Sequence, residues 1–163
     1  MNNRTGAATA ASRAETLGAL PEWNLADLYP APDAPGFSAD IDRARTQAAA
    51  FQAAWKGKLA ASSGEALAKA VHEYEALSDL IGRVGSYATL HYVGDTTDPK
   101  RQKFYGDVNQ ALTDITTGLL FFELELNRID DAVMAKALQT PALAHYRPWL
   151  DDLRRERPHQ LVD

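Results

Sequence analysis

The sequence predicts an all-α fold, an antiparallel bundle of long helices joined by short connections. Apolar residues recur at three- and four-residue steps over several long windows, which is the period of one helix face. No segment alternates apolar and polar residues over a useful length, and there is no internal repeat. Prolines, glycines and capping residues separate the helical windows from one another.

The segment before the first helix is apolar but short. Residues 20–30, "LPEWNLADLYP", combine leucines with Trp23 and Tyr29. Such a segment is too short for an independent helix, so we expect it to lie extended or in one turn. Trp23 and Tyr29 are expected to dock on the larger body of the protein. The following "APDAPG" predicts a loop, because its prolines and glycine interrupt helices.

The first long helix is expected to begin near Ser38, a residue suited to the N-cap position. Asp40 would then lie at the positive end of the helix dipole. Gly57 is expected to end the helix. Its apolar face is Ile41, Ala44, Ala48, Phe51 and Trp55.

A second helix is expected to start at "SSGE", where Ser62 and Glu65 have the spacing of a capping box. It should end near Val93. Gly82 and Gly85 fall inside it, and each costs about 1 kcal/mol relative to alanine in a helix. We therefore expect another helix or chain to approach closely at both glycines. The apolar face is Leu67, Val71, Tyr74, Leu77, Ile81, Val84 and Ala88.

A third helix follows the turn "GDTTDP". Thr97 or Asp98 is expected to cap it, with Pro99 at the first helical position, where its missing N–H costs nothing. A long apolar seam suggests that this helix continues to Asn127 and forms the centre of the bundle. The seam residues are Phe104, Val108, Leu112, Ile115, Leu119, Phe122 and Leu126.

Shorter helices are expected in the last third of the chain. One should cover 131–138 and another should open at Pro141. Pro148 must kink that second helix or restart it, because proline cannot occupy a helix interior without loss. The basic "RRER" at 154–157 suits a helix C-terminus, and Pro158 should stop the helix.

Composition limits the classes of function. The chain has 163 residues, enough for one domain or one part of a larger protein, and its net charge of −5 argues against a nucleic-acid partner. The absence of cysteine excludes disulfides and thiolate metal sites, and no apolar segment is long enough to cross a membrane. Residues 1–19 have no continuous apolar region and are interpreted as a disordered leader of a cytoplasmic protein.

One dipeptide raises the question of zinc. His72 and Glu73 match the first two positions of the helical zinc-peptidase signature H-E-x-x-H. The signature needs a second histidine four residues after the first, on the same helix face, and that position is Ala76. None of the other histidines (His91, His145 and His159) has a histidine three or four residues away. We interpret His72 and Glu73 as a solvated pair on the polar side of a helix.

Other candidate residues also favour structural roles. Glu123 and Glu125 could be paired carboxylates, but a spacing of two directs them to different helix faces. His91, next to Tyr92 and near Asp95, lies at a helix end, where histidine is more often structural. The "RRER" run is interpreted as a solvated helix end. The sequence contains no Gly-rich phosphate loop, and we assign no catalytic, metal-binding or cofactor-binding residue to this chain.

Five motifs stand in order from about residue 20 to residue 161. They are the W-x-L-x-D-L-Y of "LPEWNLADLYP", "WKGKL" at 55–59, "YATLHYVGDTTDP" at 87–99, "FFELELNRI" at 121–129, and the R-x-x-x-P-H-x-L of "RRERPHQL" at 154–161. Together they resemble the N-terminal region of oligoendopeptidase F, a zinc metallopeptidase related to the thimet oligopeptidases.

The resemblance implies that residues 20–161 form a helical region that helps to wall a deep channel. In such an enzyme an H-E-x-x-H motif and a downstream glutamate hold one zinc ion, and short peptides are hydrolysed. We expect those elements to follow residues 162–163, so this chain alone should bind no zinc and be inactive. Its partner would be the catalytic domain. The alternatives are a free-standing helical-bundle interaction module and, third, an unrelated small helical enzyme.

Overall fold

The computed structural model describes residues 23–160, and within that range the protein is helical without strands. This confirms the predicted all-α fold. The predicted leader and the last three residues lie outside the described range. The helices are α1 Pro35–Trp55, α2 Gly64–Val93, α3 Pro99–Thr117, α4 Leu120–Arg128, α5 Asp131–Ala137, α6 Pro141–Ala144 and α7 Arg147–Arg155, with 3-10 turns at Leu59–Ala61 and Arg157–His159.

The start of α1 corrects the predicted boundary. The helix begins at Pro35 after an N-cap at Ala34, three residues before the predicted start at Ser38. Proline suits the first helical position, because its φ is already helical and its missing N–H would be unbonded there. The Ser38 hydroxyl lies inside the first turn and donates to the carbonyl of Pro35 at 3.2 Å. The helix ends before Gly57, as predicted.

Helix α2 forms the centre of the bundle. It packs against α1, α3, α5 and α6. The prediction that the third helix is central is therefore wrong. The buried residues of α2 include neighbouring pairs such as Ala70 and Val71, which cannot share one narrow stripe, so the helix buries a wide surface. Its N-cap is Ser63, whose hydroxyl accepts from the N–H of Ala66 at 3.2 Å, and not the predicted Ser62.

The two glycines inside α2 differ in their surroundings. A Cβ on Gly85 would lie 3.3 Å from Cδ1 of Leu112 in α3, so the predicted close approach is confirmed there. A Cβ on Gly82 would meet nothing within 4 Å, and the prediction is wrong at that position. Gly85 lets α3 pack closely, whereas Gly82 has no such packing role in the described part of the chain.

The predicted third helix is two helices, α3 and α4, with a break at Gly118 and Leu119. Asp98 caps α3 by accepting from the N–H of Lys100 at 2.7 Å, as predicted. Near the end of α3 the Thr116 and Thr117 hydroxyls donate to carbonyls of the preceding turn, at 2.9 and 2.8 Å, and such bonds bend helices. Gln52 donates to the carbonyl of Gly118 at 3.1 Å, which gives that carbonyl a partner outside the helix.

The apolar seam survives the break in the helix. Its members from both sides of the break lie in one core, namely Val108, Leu112, Ile115, Leu119, Phe122 and Leu126.

After the seam, Asp130 caps α5, and Pro148 lies in the first turn of α7, where it restarts the helix. Helices α5 and α6 have the predicted starts. None of the helices in 23–160 has the length and apolarity that a membrane crossing requires.

Candidate functional site

Two distant segments meet where α1 ends. The backbone N–H of Gly57 donates to the carboxylate of Glu125 in α4, at 2.7 and 3.0 Å to its two oxygens. Gly57 has φ of +76°, a left-handed conformation that favours glycine. Leu59, in the turn that follows, is fully buried, and that turn packs against α4. We call the contact of 55–59 with α4, together with the contact of α4 with α7, the joint.

The two glutamates of "FFELEL" bind different partners, as their spacing predicted. Glu125 accepts from Gly57, whereas Glu123 accepts from the Tyr74 hydroxyl at 2.9 Å. Burial, together with the charge of Glu123, raises the pKa of Tyr74 above its ordinary value. The carboxylates therefore do not form an acid–base pair. Each holds α4 to another element of the bundle.

Arg154 completes the joint from α7. Its guanidinium donates to the carbonyl oxygens of Leu126 at 3.1 Å and Ile129 at 2.8 Å. These carbonyls belong to the last turn of α4 and its C-cap, where helices leave acceptors unsatisfied. Arg154 also pairs with Asp131, and this hydrogen bond and charge lower the pKa of Asp131. The prediction of a solvated basic run is thus wrong for Arg154, whose side chain is only 15% exposed.

The remaining arginines of the run fit the prediction better. Arg155 pairs with Asp152 at 2.7 Å on the surface, and Arg157 lies 3.1 Å from Asp131. The sequence gives one signal that could have singled out Arg154. It is the arginine at the first position of the R-x-x-x-P-H-x-L motif. The contribution of Gly57 and Glu125 could have been suspected in the same way, since both lie in quoted motifs.

Asn127 is a buried polar residue within the joint. It has no solvent exposure, and neither its amide nitrogen nor its amide oxygen has a hydrogen-bond partner among the described residues. Leaving such groups unpaired costs about 1–3 kcal/mol each. The neighbouring Leu126 and Ile129 are buried to nearly the same extent as Asn127.

The residues that suggested zinc do not form a metal site. The predicted pair of His72 with Glu73 is wrong. Glu73 instead accepts from the indole N–H of Trp55 at 2.7 Å. His72 is exposed, and its Nδ1 lies 3.5 Å from Glu75 and 3.4 Å from the Tyr146 hydroxyl. Within residues 23–160 there is no group of three or more histidine, cysteine or acidic side chains that could hold a metal.

His91 has the structural surroundings that the sequence predicted. Its ring stacks on Tyr87 at 5.9 Å and meets the edge of Phe104 at 5.6 Å. Burial lowers the pKa of His91, and the charge of Arg101 adds to this effect. Tyr92 stacks separately on Tyr105, and Asp95 accepts from the backbone and hydroxyl of Thr97. The three residues therefore serve the helix end and the turn after it.

The N-terminal segment docks through Tyr29 and not through Trp23. Tyr29 is buried and donates to Asp40 at 2.7 Å, and burial followed by this bond raises its pKa to about 12. Arg83 lies 4.8 Å from the centre of the Tyr29 ring and donates to the carbonyl of Leu28 at 2.6 Å. Trp23, in contrast, is 73% exposed, so its predicted docking is wrong.

A cleft of roughly 560 Å³ lies beside this segment. Its walls are residues 23–32, the last turns of α2 and Arg101 of α3. It contains His91 but no arrangement of nucleophile, base and acid. Among the described residues, the joint is thus a contact between helices, and the cleft is a cavity beside the N-terminal segment.

Comparison with known proteins finds a similarity in the C-terminal part of the chain. A family model described as Oligopeptidase F, for the N-terminal region of these peptidases, matches residues 125–163. This match confirms the predicted resemblance and covers Glu125 and Arg154 of the joint. The motifs before residue 125 lie outside the matched range. No curated protein and no solved structure matches the chain.

Proposed function

Taking the chain as an N-terminal region of the oligoendopeptidase F family, we propose that it is the helical scaffold and channel wall of a zinc-dependent oligoendopeptidase. The observation that carries the proposal is the family match over residues 125–163. The contacts at the joint support it, because segments from three of the quoted motifs meet there through Gly57, Glu125 and Arg154. We propose short, unfolded peptides as the substrates of the whole enzyme.

The described residues do not fit a zinc site. Three protein ligands are needed for a catalytic zinc ion, and residues 23–160 bring no such group together. The whole chain also lacks a second histidine at the position that His72 would require, which is Ala76. We therefore propose that other residues of the enzyme bind the zinc, and that no step of hydrolysis is performed by the residues described.

The proposed contribution of this chain is positional. Arg154 and Glu125 attach α4 to α7 and to the end of α1, so the directions of these helices are coupled. A wall of rigid helices would admit extended peptides and exclude folded proteins. Leu120 and Leu124 lie one turn apart on α4 and are both exposed. The proposal assigns them to contact with the catalytic domain, since paired exposed leucines suit a protein interface.

The experiment compares the isolated chain with the native protein that contains it. Both are assayed with quenched-fluorescent peptides of increasing length, with added zinc and with a chelator. The proposal expects chelator-sensitive cleavage of short peptides by the native protein and none by the purified isolated chain. Native protein that consists of this chain alone and shows no activity would contradict the proposal and favour the helical-bundle interaction module.

A cytoplasmic location belongs to the same proposal. Its support is the composition of the first 20 residues, which lack a continuous apolar region. Fractionation of cells that express the native protein tests it, with recovery in the membrane or exported fraction as the contrary result.

A further inference from the structure

The cleft beside the N-terminal segment has the size of a ligand site. Its volume of roughly 560 Å³ lies within the range of small-molecule sites, about 300–1,000 Å³. Its walls expose polar and apolar surface in equal measure, and Tyr87, Leu90 and Pro30 are among the residues that line it.

Two of the most exposed apolar side chains in the described structure line this cleft. Trp23 is 73% exposed and Val93 is 54% exposed. They come from two different segments, Trp23 from the N-terminal segment and Val93 from the end of α2. A ligand that covers large apolar side chains at a concave site removes them from water, and this burial favours binding.

The charged groups of the lining are basic. Arg101 contributes a guanidinium, and none of the lining residues within 23–160 is an aspartate or glutamate, although the protein as a whole is acidic. The guanidinium donates through Nη1 to the carbonyl of His91 at 2.9 Å, and its Nε lies 3.9 Å from Asp98. These contacts use only part of its five N–H donors, so donors are left for a ligand.

The Arg101 guanidinium lies close to the end of α2. A Cβ on Gly94 would lie 2.7 Å from Nη1 of Arg101, so a side chain at position 94 would require the guanidinium to shift. The positive charge also offsets the negative end of the α2 dipole, which would otherwise repel an anion at the cleft.

We propose that the cleft binds the C-terminal end of a short peptide with an apolar last residue. The apolar side chain lies between Trp23 and Val93, and the terminal carboxylate faces Arg101. The proposal goes beyond the scaffold function and does not depend on it, because every residue it uses precedes the matched range 125–163. Either proposal can fail while the other stands.

The test follows the indole N–H signals of the protein by NMR during titration with N-acetyl-Leu-Phe. The chain has three tryptophans, and Trp55 is bonded to Glu73, so its signal is an internal reference. A Trp23→Phe variant assigns the signal of Trp23. The proposal expects a saturable shift of that signal, and an affinity about tenfold weaker for the C-terminal amide, which lacks the charge.

Negative and positive charges introduced at Val93 should change the affinity for the acid in different ways. Val93→Asp should weaken binding of the acid about tenfold, and Val93→Lys should leave it unchanged or strengthen it. The matched pair at Val133, a valine 43% exposed on α5 and outside the cleft, should change neither. Circular dichroism checks that each variant is folded. Equal affinity for acid and amide, the same effect of Asp and Lys at Val93, or no saturation would overturn the proposal.

Discussion

The backbone N–H of Gly57 is bonded to the Glu125 carboxylate at 2.7 Å, although 68 positions separate the two residues. The bond forms because Gly57 takes a left-handed conformation with φ of +76°, which presents its N–H at the end of α1. A charged acceptor makes such a bond stronger than a bond between neutral groups. This bond of the joint therefore requires the backbone conformation of Gly57 and the carboxylate of Glu125.

Replacing Gly57 by alanine should destabilise the protein. A left-handed conformation costs an L-residue about 1–2 kcal/mol, so the free energy of unfolding should fall by that amount. Urea denaturation measures it. Gly82→Ala is the matched control and should have the opposite sign, stabilising by about 0.5–1 kcal/mol, since it lies inside α2 with open space around it. The same sign for both variants would contradict the account of Gly57.

Arg154→Ala should lower the free energy of unfolding by about 1–3 kcal/mol, because it leaves the carbonyls of Leu126 and Ile129 without a charged donor. Arg155→Ala is the control, since its pair with Asp152 is exposed on both sides and should contribute less than about 1 kcal/mol. Thermal unfolding compares the two variants. Equal losses would show that Arg154 has no capping role.

Asn127→Leu should leave stability unchanged or raise it. The buried amide has no described partner, and an apolar side chain of similar volume removes the cost of burying it. Leu126→Ala, at a neighbouring position of equal burial, should instead cost about 2–5 kcal/mol. Chemical denaturation of both variants tests this. A loss of more than about 1 kcal/mol for Asn127→Leu would mean that a buried water or another polar group satisfies the amide.

His91 should make stability depend on pH. Its pKa in the folded protein is lowered from the ordinary value of 6.5, first by burial and then by Arg101. The unfolded chain therefore binds the proton more readily, and stability falls as pH drops from 6.5 toward the folded-state pKa. His91→Phe should flatten this slope, whereas His72→Gln, at an exposed histidine, should preserve it. Unfolding curves at pH 5–7 that respond equally to both substitutions would refute the assignment.

The start of α3 was predictable from local sequence signals, whereas several contacts between helices were not. Asp98 and Pro99 mark the start of α3 correctly, because an N-cap and a first-turn proline act within a few residues. At the break, the carbonyl of Gly118 accepts from Gln52 in another helix, a contact that a continuous apolar seam could not reveal. Glu73 was paired in prediction with its neighbour His72, while its partner in the fold is Trp55, in another helix.

The candidate sites show the same division. The absence of a second histidine at Ala76 could be read from spacing alone, and so could the divergence of Glu123 and Glu125. The bonds of Arg154 to the end of α4 needed the structure, because the R-x-x-x-P-H-x-L motif can single out this arginine but does not show which groups it contacts. Trp23 was expected to dock because it is apolar, but nothing in the described fold covers it.

The zinc content of the native protein that carries this chain tests the central proposal most directly. The protein should be purified without chelators and its zinc measured by elemental analysis, together with the mass of the polypeptide. The proposal predicts one zinc per polypeptide, as in a mononuclear peptidase site, on a polypeptide larger than this chain. Native protein with no bound zinc would contradict the assignment of this chain to a zinc-dependent oligoendopeptidase.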